Sequence, residues 1–204
     1  MAAYMNPFFS SGFSWGSAGL LTGFLASRPK SSVLAAGGTL ATAAITYYVL
    51  ILLVGQRWLV RPSDIETDAT SSAGLLSVGR SIVFWTVVGL IGGGLMGWLG
   101  WSIRHSPVRL GSAVLGLSFA LLVGEGVFTL INVQSIYHGP LNSFDLSKLV
   151  PALTQIVLGV VSAGYAIRTR RLPVAWPVVG TVGLASLAAS VFIWYAVSMA
   201  RMSL

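Results

Sequence analysis

The chain of 204 residues contains no cysteine, which excludes disulfides, thiolate metal sites and cysteine nucleophiles. Charge is almost as scarce, with Asp, Glu, Lys and Arg making up 8% of the residues against about 25% in soluble domains. A chain so poor in charge cannot cover a water-facing surface. Its net charge of +7 does not point to nucleic acid, because the basic residues are dispersed as short flanks between apolar runs and form no single stripe. Histidine is limited to His105 and His138, too isolated to build the ligand set of a metal site. Phosphate-binding glycine loops and the H-E-x-x-H pattern are missing. No catalytic set, metal or cofactor is therefore expected, and nucleic acid is not an expected partner.

What the chain does have is apolar length, 55% of its residues being hydrophobic. A lipid bilayer is the expected surrounding. About 20 residues at 1.5 Å rise cross a hydrocarbon core of roughly 30 Å. The runs predict six spans near 8–26, 32–55, 81–103, 110–133, 149–167 and 175–199, in a single all-α transmembrane domain covering 1–204. The first run lacks the preceding cations of a secretory signal and is followed by Arg28 and Lys30, so it reads as a true span. All eight prolines fall in expected loops or first helical turns, where a missing N–H costs little.

Orientation follows from the turns. Arg28 and Lys30, Arg104 and Arg109, and Arg168, Arg170 and Arg171 fall on one side, seven cations without an acid. The other side holds Arg57, Arg61, Arg80, Lys148 and Arg201, diluted by Asp64, Glu66, Asp68 and Asp145. The positive-inside rule places the first set in the cytoplasm and both termini outside. Pro29, Pro107 and Pro173 mark the three cytoplasmic turns, giving an expected series of three helical hairpins. The stretch 56–80 reads as a solvated connector. Abundant Ala, Gly, Val and Arg resemble a GC-rich bacterial coding bias, and the cell membrane is the expected location.

Glycine spacing is the clearest packing signal. Gly12, Gly16, Gly19 and Gly23 share one face of the first span, and Gly89, Gly93, Gly97 and Gly100 one face of the third. Such G-x-x-x-G faces let helix backbones approach closely in lipid, within the bundle or at a dimer seam. Glu125 is the only acid inside an expected span. A carboxyl in hydrocarbon is costly, and its presence marks either a shelter or a function. Gly111, Ser118, Glu125 and Asn132 recur every seven residues, with Thr129 one turn beyond Glu125, so this stripe should avoid lipid. Gln155 on the next span is expected at the same depth, within hydrogen-bond reach of Glu125. Tyr47, Tyr48, Trp85, Trp194 and Tyr195 add an aromatic layer at that level. Glu125, Gln155, Tyr47, Thr129 and Asn132 are thus the candidate ligand or proton pathway, set against an interhelical hydrogen bond and an ordinary aromatic belt.

Gly12 to Gly16 spell G-x-S-x-G around Ser14, but the hydrolase elbow needs a strand before its serine and a base beside it. With Trp85, the Gly89 to Gly97 run, Arg104 and the Gly124, Glu125 pair in view, the chain resembles small six-span actinobacterial membrane proteins of unknown function. That resemblance covers most of the chain and implies topology, with no activity to carry over; the connector after the second span is longer and more acidic than it implies. The expected role is non-enzymatic, through helix packing or contact with a membrane partner or second copy. A small transporter or proton-linked permease centred on Glu125 is the alternative.

Overall fold

A computed structural model of the chain describes residues 11–55, 71–136, 143–170 and 173–202, which form helices joined by short turns with no strand among them. The helices are α1 (Gly12–Leu25), α2 (Pro29–Leu50, continued by a π-helical turn Ile51–Gly55), α3 (Ser71–His105), α4 (Val108–Ile136), α5 (Ser143–Thr169) and α6 (Trp176–Met202). Five of them, α2 to α6, are long and apolar enough to cross a membrane. Their outward side chains suit lipid: Ile91, Leu184 and Phe192 are 70–71% exposed, a surface water would not tolerate on this scale. The described part of α1 has 14 residues, about 21 Å of helix, short of a full crossing.

Two helix starts depart from the sequence expectation. Residues 71–80 are helical where a connector was expected, because Ala73, Leu75, Leu76 and Val78 extend the apolar pattern outward without a proline to stop it. α5 begins at Ser143, since Ser143 and Asp145 are residue types that favour a helix start. Pro151 consequently lies inside α5, past its first turn, and removes the backbone donor that would bond back to Ser147. The expected start of the first span, 8–10, lies outside the described residues, as do His138 and the acids Asp64, Glu66 and Asp68.

Contacts run in alternating directions along the chain. α1 and α3 lie parallel, Gly19 facing Gly93 and Gly23 facing Gly97, while α2 runs against α3, with Gly89 on Leu40 and Gly97 on Ser32. α4 and α6 are parallel through Gly116 on Gly183 and Gly124 on Ser190, and α5 runs against α4 through Ala152 on Gly126. Helices α1 to α3 form one packed group and α4 to α6 another, joined where α4 meets α3 and α1. The expected third hairpin is looser than the others. α5 and α6 both pack on α4, and neither makes a main contact with the other.

Missing side chains set these distances. A Cβ at Gly23 would fall on the Gly97 carbonyl, and one at Gly100 on the Leu20 carbonyl. One at Gly93 would lie 2.8 Å from the Ala36 carbonyl, and one at Gly16 would lie 2.8 Å from Leu122 Cδ2. α3 is therefore clamped backbone to backbone between α1 and α2, the contact that takes the place of hydrophobic drive in lipid. The core fills the space beside it: Phe13, Leu20 and Phe24 of α1 meet Leu99 and Ile103 of α3, Val114, Leu115 and Leu122 of α4, and Ala166 of α5.

Gly23→Ala should destabilise the protein by about 1–3 kcal/mol, the cost of overpacking. Gly38→Ala, where an added Cβ meets no atom within 4 Å, should be neutral or slightly stabilising. Thermal unfolding of the two variants in detergent checks this contrast.

Candidate functional site

α4 is central because it packs on α1, α3, α5 and α6. Leu122 and Glu125 meet Gly16 and Gly12 of α1, Val123 and Gly126 meet Gly159 and Ala152 of α5, and Gly116 and Gly124 meet Gly183 and Ser190 of α6. Glu125 lies eleven residues before the end of α4 at Ile136, about 16 Å along the axis. At that depth its Oε2 accepts a hydrogen bond from the Gly12 N–H at 3.0 Å.

Gly12 is the first residue of α1. A helix N-terminus exposes N–H groups without intrahelical partners and carries partial positive charge. Glu125 therefore stands where an anion is stabilised and where α1 needs an acceptor. Ser11 completes the cap, its Oγ accepting from the Ser14 N–H at 3.4 Å. A Cβ at Gly12 would lie 3.3 Å from Glu125 Oε2 and 3.5 Å from the Trp194 ring, so glycine keeps the carboxylate and the indole close to the backbone.

The other candidates do not gather around this carboxylate. Gln155 is 4% exposed, but its side chain faces Gly126, and no hydrogen bond joins it to Glu125 among the described residues. The reason is rotational: one residue is about 100° of helix, which turns Glu125 toward α1 and Gly126 toward α5. The Thr129 hydroxyl donates to the Glu125 carbonyl at 2.9 Å, which satisfies it within its own helix. Asn132 lies two turns beyond Glu125, half-buried. Tyr47 is 46% exposed, edge-on to Tyr48 with ring centroids 5.2 Å apart. It lines a shallow groove of about 720 Å³ with Trp15, Gly38, Thr42 and Thr46, and none of the other four candidates lines that groove. Ser14 sits in the first turn of α1; His105 stacks on Trp101 at the opposite end of the bundle, with centroids 5.0 Å apart.

That opposite end holds interactions that residue patterns alone did not reveal. Arg104 Nη1 donates to the Phe24 carbonyl at 3.4 Å, with its Cζ 5.8 Å from the centre of the Phe24 ring. Arg170 Nη2 donates to the carbonyls of Ser106 at 3.1 Å and Pro107 at 3.4 Å. Both arginines satisfy acceptors at the C-terminal ends of neighbouring helices, where cations are favoured. Ser112 ties in the last turn, donating to the Val108 carbonyl at 2.6 Å and accepting from the Ala175 N–H at 2.9 Å. Cations in the last helical turn were the available signal, and a topological role already accounted for them.

Comparison with known proteins finds no family model, no curated relative and no solved structure that matches the chain. Function must be read from the geometry alone.

Glu125→Ala should leave the Gly12 N–H without this acceptor and cost about 1–3 kcal/mol. Hydrogen exchange should then rise in the first turn of α1, while the end bearing Arg104 stays protected. Equal protection of α1 in both proteins would contradict the cap.

Proposed function

We propose that the protein is a non-enzymatic multi-pass membrane protein that works through helix packing and contact with a membrane partner or a second copy. The observation that carries this reading is the use made of Glu125, the one acid within the spans, as the acceptor at the start of α1. Its neighbours support the same reading. The glycine faces are taken up by contacts inside the bundle, and Ser112, Ser118 and Thr129 return their hydroxyls to their own helices. The proposal includes six crossings with α1 as the sixth, both termini extracytoplasmic and a place in a bacterial cell membrane. The basic turns and the proximity of Gly12 to Trp194 support the shared side of the termini.

The transporter reading has narrower support. Tyr47 borders a groove, but this groove is separate from the Glu125 carboxylate.

Purification from native membranes in mild detergent is expected to recover a homo-oligomer or a stoichiometric partner. A monomer without any partner would contradict the proposal. Glu125→Gln is expected to lower thermal stability without changing proton or solute flux in reconstituted vesicles; a selective loss of flux at unchanged stability would favour the transporter.

A further inference from the structure

The end of the bundle opposite Glu125 contains a cation that no acid among the described residues neutralises. Arg170 follows α5 directly and is only 6% exposed. A guanidinium carries five N–H donors in a fixed fork. The two on Nη2 reach the Ser106 and Pro107 carbonyls, while Nε and Nη1 are buried without a hydrogen-bond partner. Burial pushes the guanidinium below the usual arginine range, but that range starts so high that the group stays charged near neutrality. A buried, unpaired charge is among the more expensive arrangements a protein can hold.

The surroundings are positive as well. The fork lies on the first turn of α4, where a Cβ at Gly111 would fall within 2.8 Å of Arg170 Cζ. The N-terminus of α6 arrives beside it, Ala175 donating to Ser112 one residue further along α4. Two helix N-termini thus converge on a buried arginine, with partial positive charge and first-turn N–H groups at each. Arg104, Arg109 and Arg168 belong to the same end. The two acids among the described residues, Glu125 and Asp145, lie toward the other ends of α4 and α5. The Ser106 and Pro107 carbonyls offset part of the Arg170 charge through Nη2 but leave the three N–H groups of Nε and Nη1 without an acceptor.

We infer that Arg170 and the N-terminal turns of α4 and α6 form a binding site for a phosphate group, supplied by an anionic lipid headgroup or by free phosphate. With α2 to α6 crossing a bilayer, this end of the bundle would face headgroup phosphates, and basic clefts between spans are suited to them. Buried, unpartnered N–H groups are what separate Arg170 from Arg104, Arg109 and Arg168 around it. Since the free guanidinium N–H groups are closed off from water, anion capture is coupled to a local opening of this end, and the bound anion ties α4, α5 and α6 together.

The test is thermal unfolding of the full chain in phosphatidylcholine nanodiscs, with and without phosphatidic acid, and with inorganic phosphate added separately. The wild type should be stabilised by about 5 °C at an anion level about a hundred times its dissociation constant. Arg170→Gln should lose the shift, Arg170→Lys should keep a part of it, and Arg168→Gln, at an exposed position, should retain it. Stabilisation by phosphatidic acid alone assigns the site to a lipid headgroup; stabilisation by inorganic phosphate as well assigns it to the phosphate group itself. If Arg170→Gln does not fold, Gly111→Ala, whose methyl displaces the guanidinium, should remove the shift instead. An absent shift in the wild type, or an equal loss in Arg168→Gln, overturns the site.

Discussion

A single hydrogen bond, from the Gly12 N–H to the Glu125 carboxylate, joins the first turn of α1 to α4. The first N–H groups of a helix have no partner within it and need an acceptor from elsewhere. A carboxylate in the middle of an apolar helix has the complementary need for a donor. Placed together, the two liabilities cancel: the carboxylate receives a donor and a favourable dipole, and the helix receives an acceptor. The interaction links the two halves of the bundle, because Gly12 belongs to the α1 to α3 group and Glu125 to the α4 to α6 group.

The glycines make this link geometrically possible. Gly19 and Gly23 let α1 lie against the backbone of α3, which holds it deep enough for its first turn to meet α4. Gly16 then admits Leu122, the residue one turn before Glu125 on the same face of α4. A larger side chain at any of these positions would push α1 outward and separate Gly12 from its acceptor. Packing and polar satisfaction are therefore one constraint. At the other end the chain uses the opposite sign, with Arg104 and Arg170 serving the carbonyl ends of α1 and α3.

Much of the fold is legible in the sequence because span length and turn composition follow directly from bilayer thickness and charge cost. Apolar runs mark α2 to α6, and the glycine repeat marks the faces of α1 and α3. The site is less legible. Heptad spacing turns Glu125 inward, but a pattern of seven cannot distinguish a neighbour on α1 from one on α5 when adjacent residues point about 100° apart. Gln155 shares the depth of Glu125 and faces Gly126 for that reason. Ser11 before Gly12 was a readable helix start, and would have shortened the first span and exposed the need for an acceptor. Pro151 misleads in the reverse direction: apolarity begins near 149, whereas the helix begins at Ser143.

The contact between α1 and Glu125 is the one on which the joining of the two helix groups depends, and solid-state NMR reaches it directly. With Gly12 carrying ¹⁵N and Glu125 carrying ¹³C at its carboxyl carbon, the bilayer-embedded protein should show a dipolar coupling that matches the 3.0 Å N···O contact. Absence of that coupling, with α1 still helical, would contradict the claim that this carboxylate holds the start of the helix.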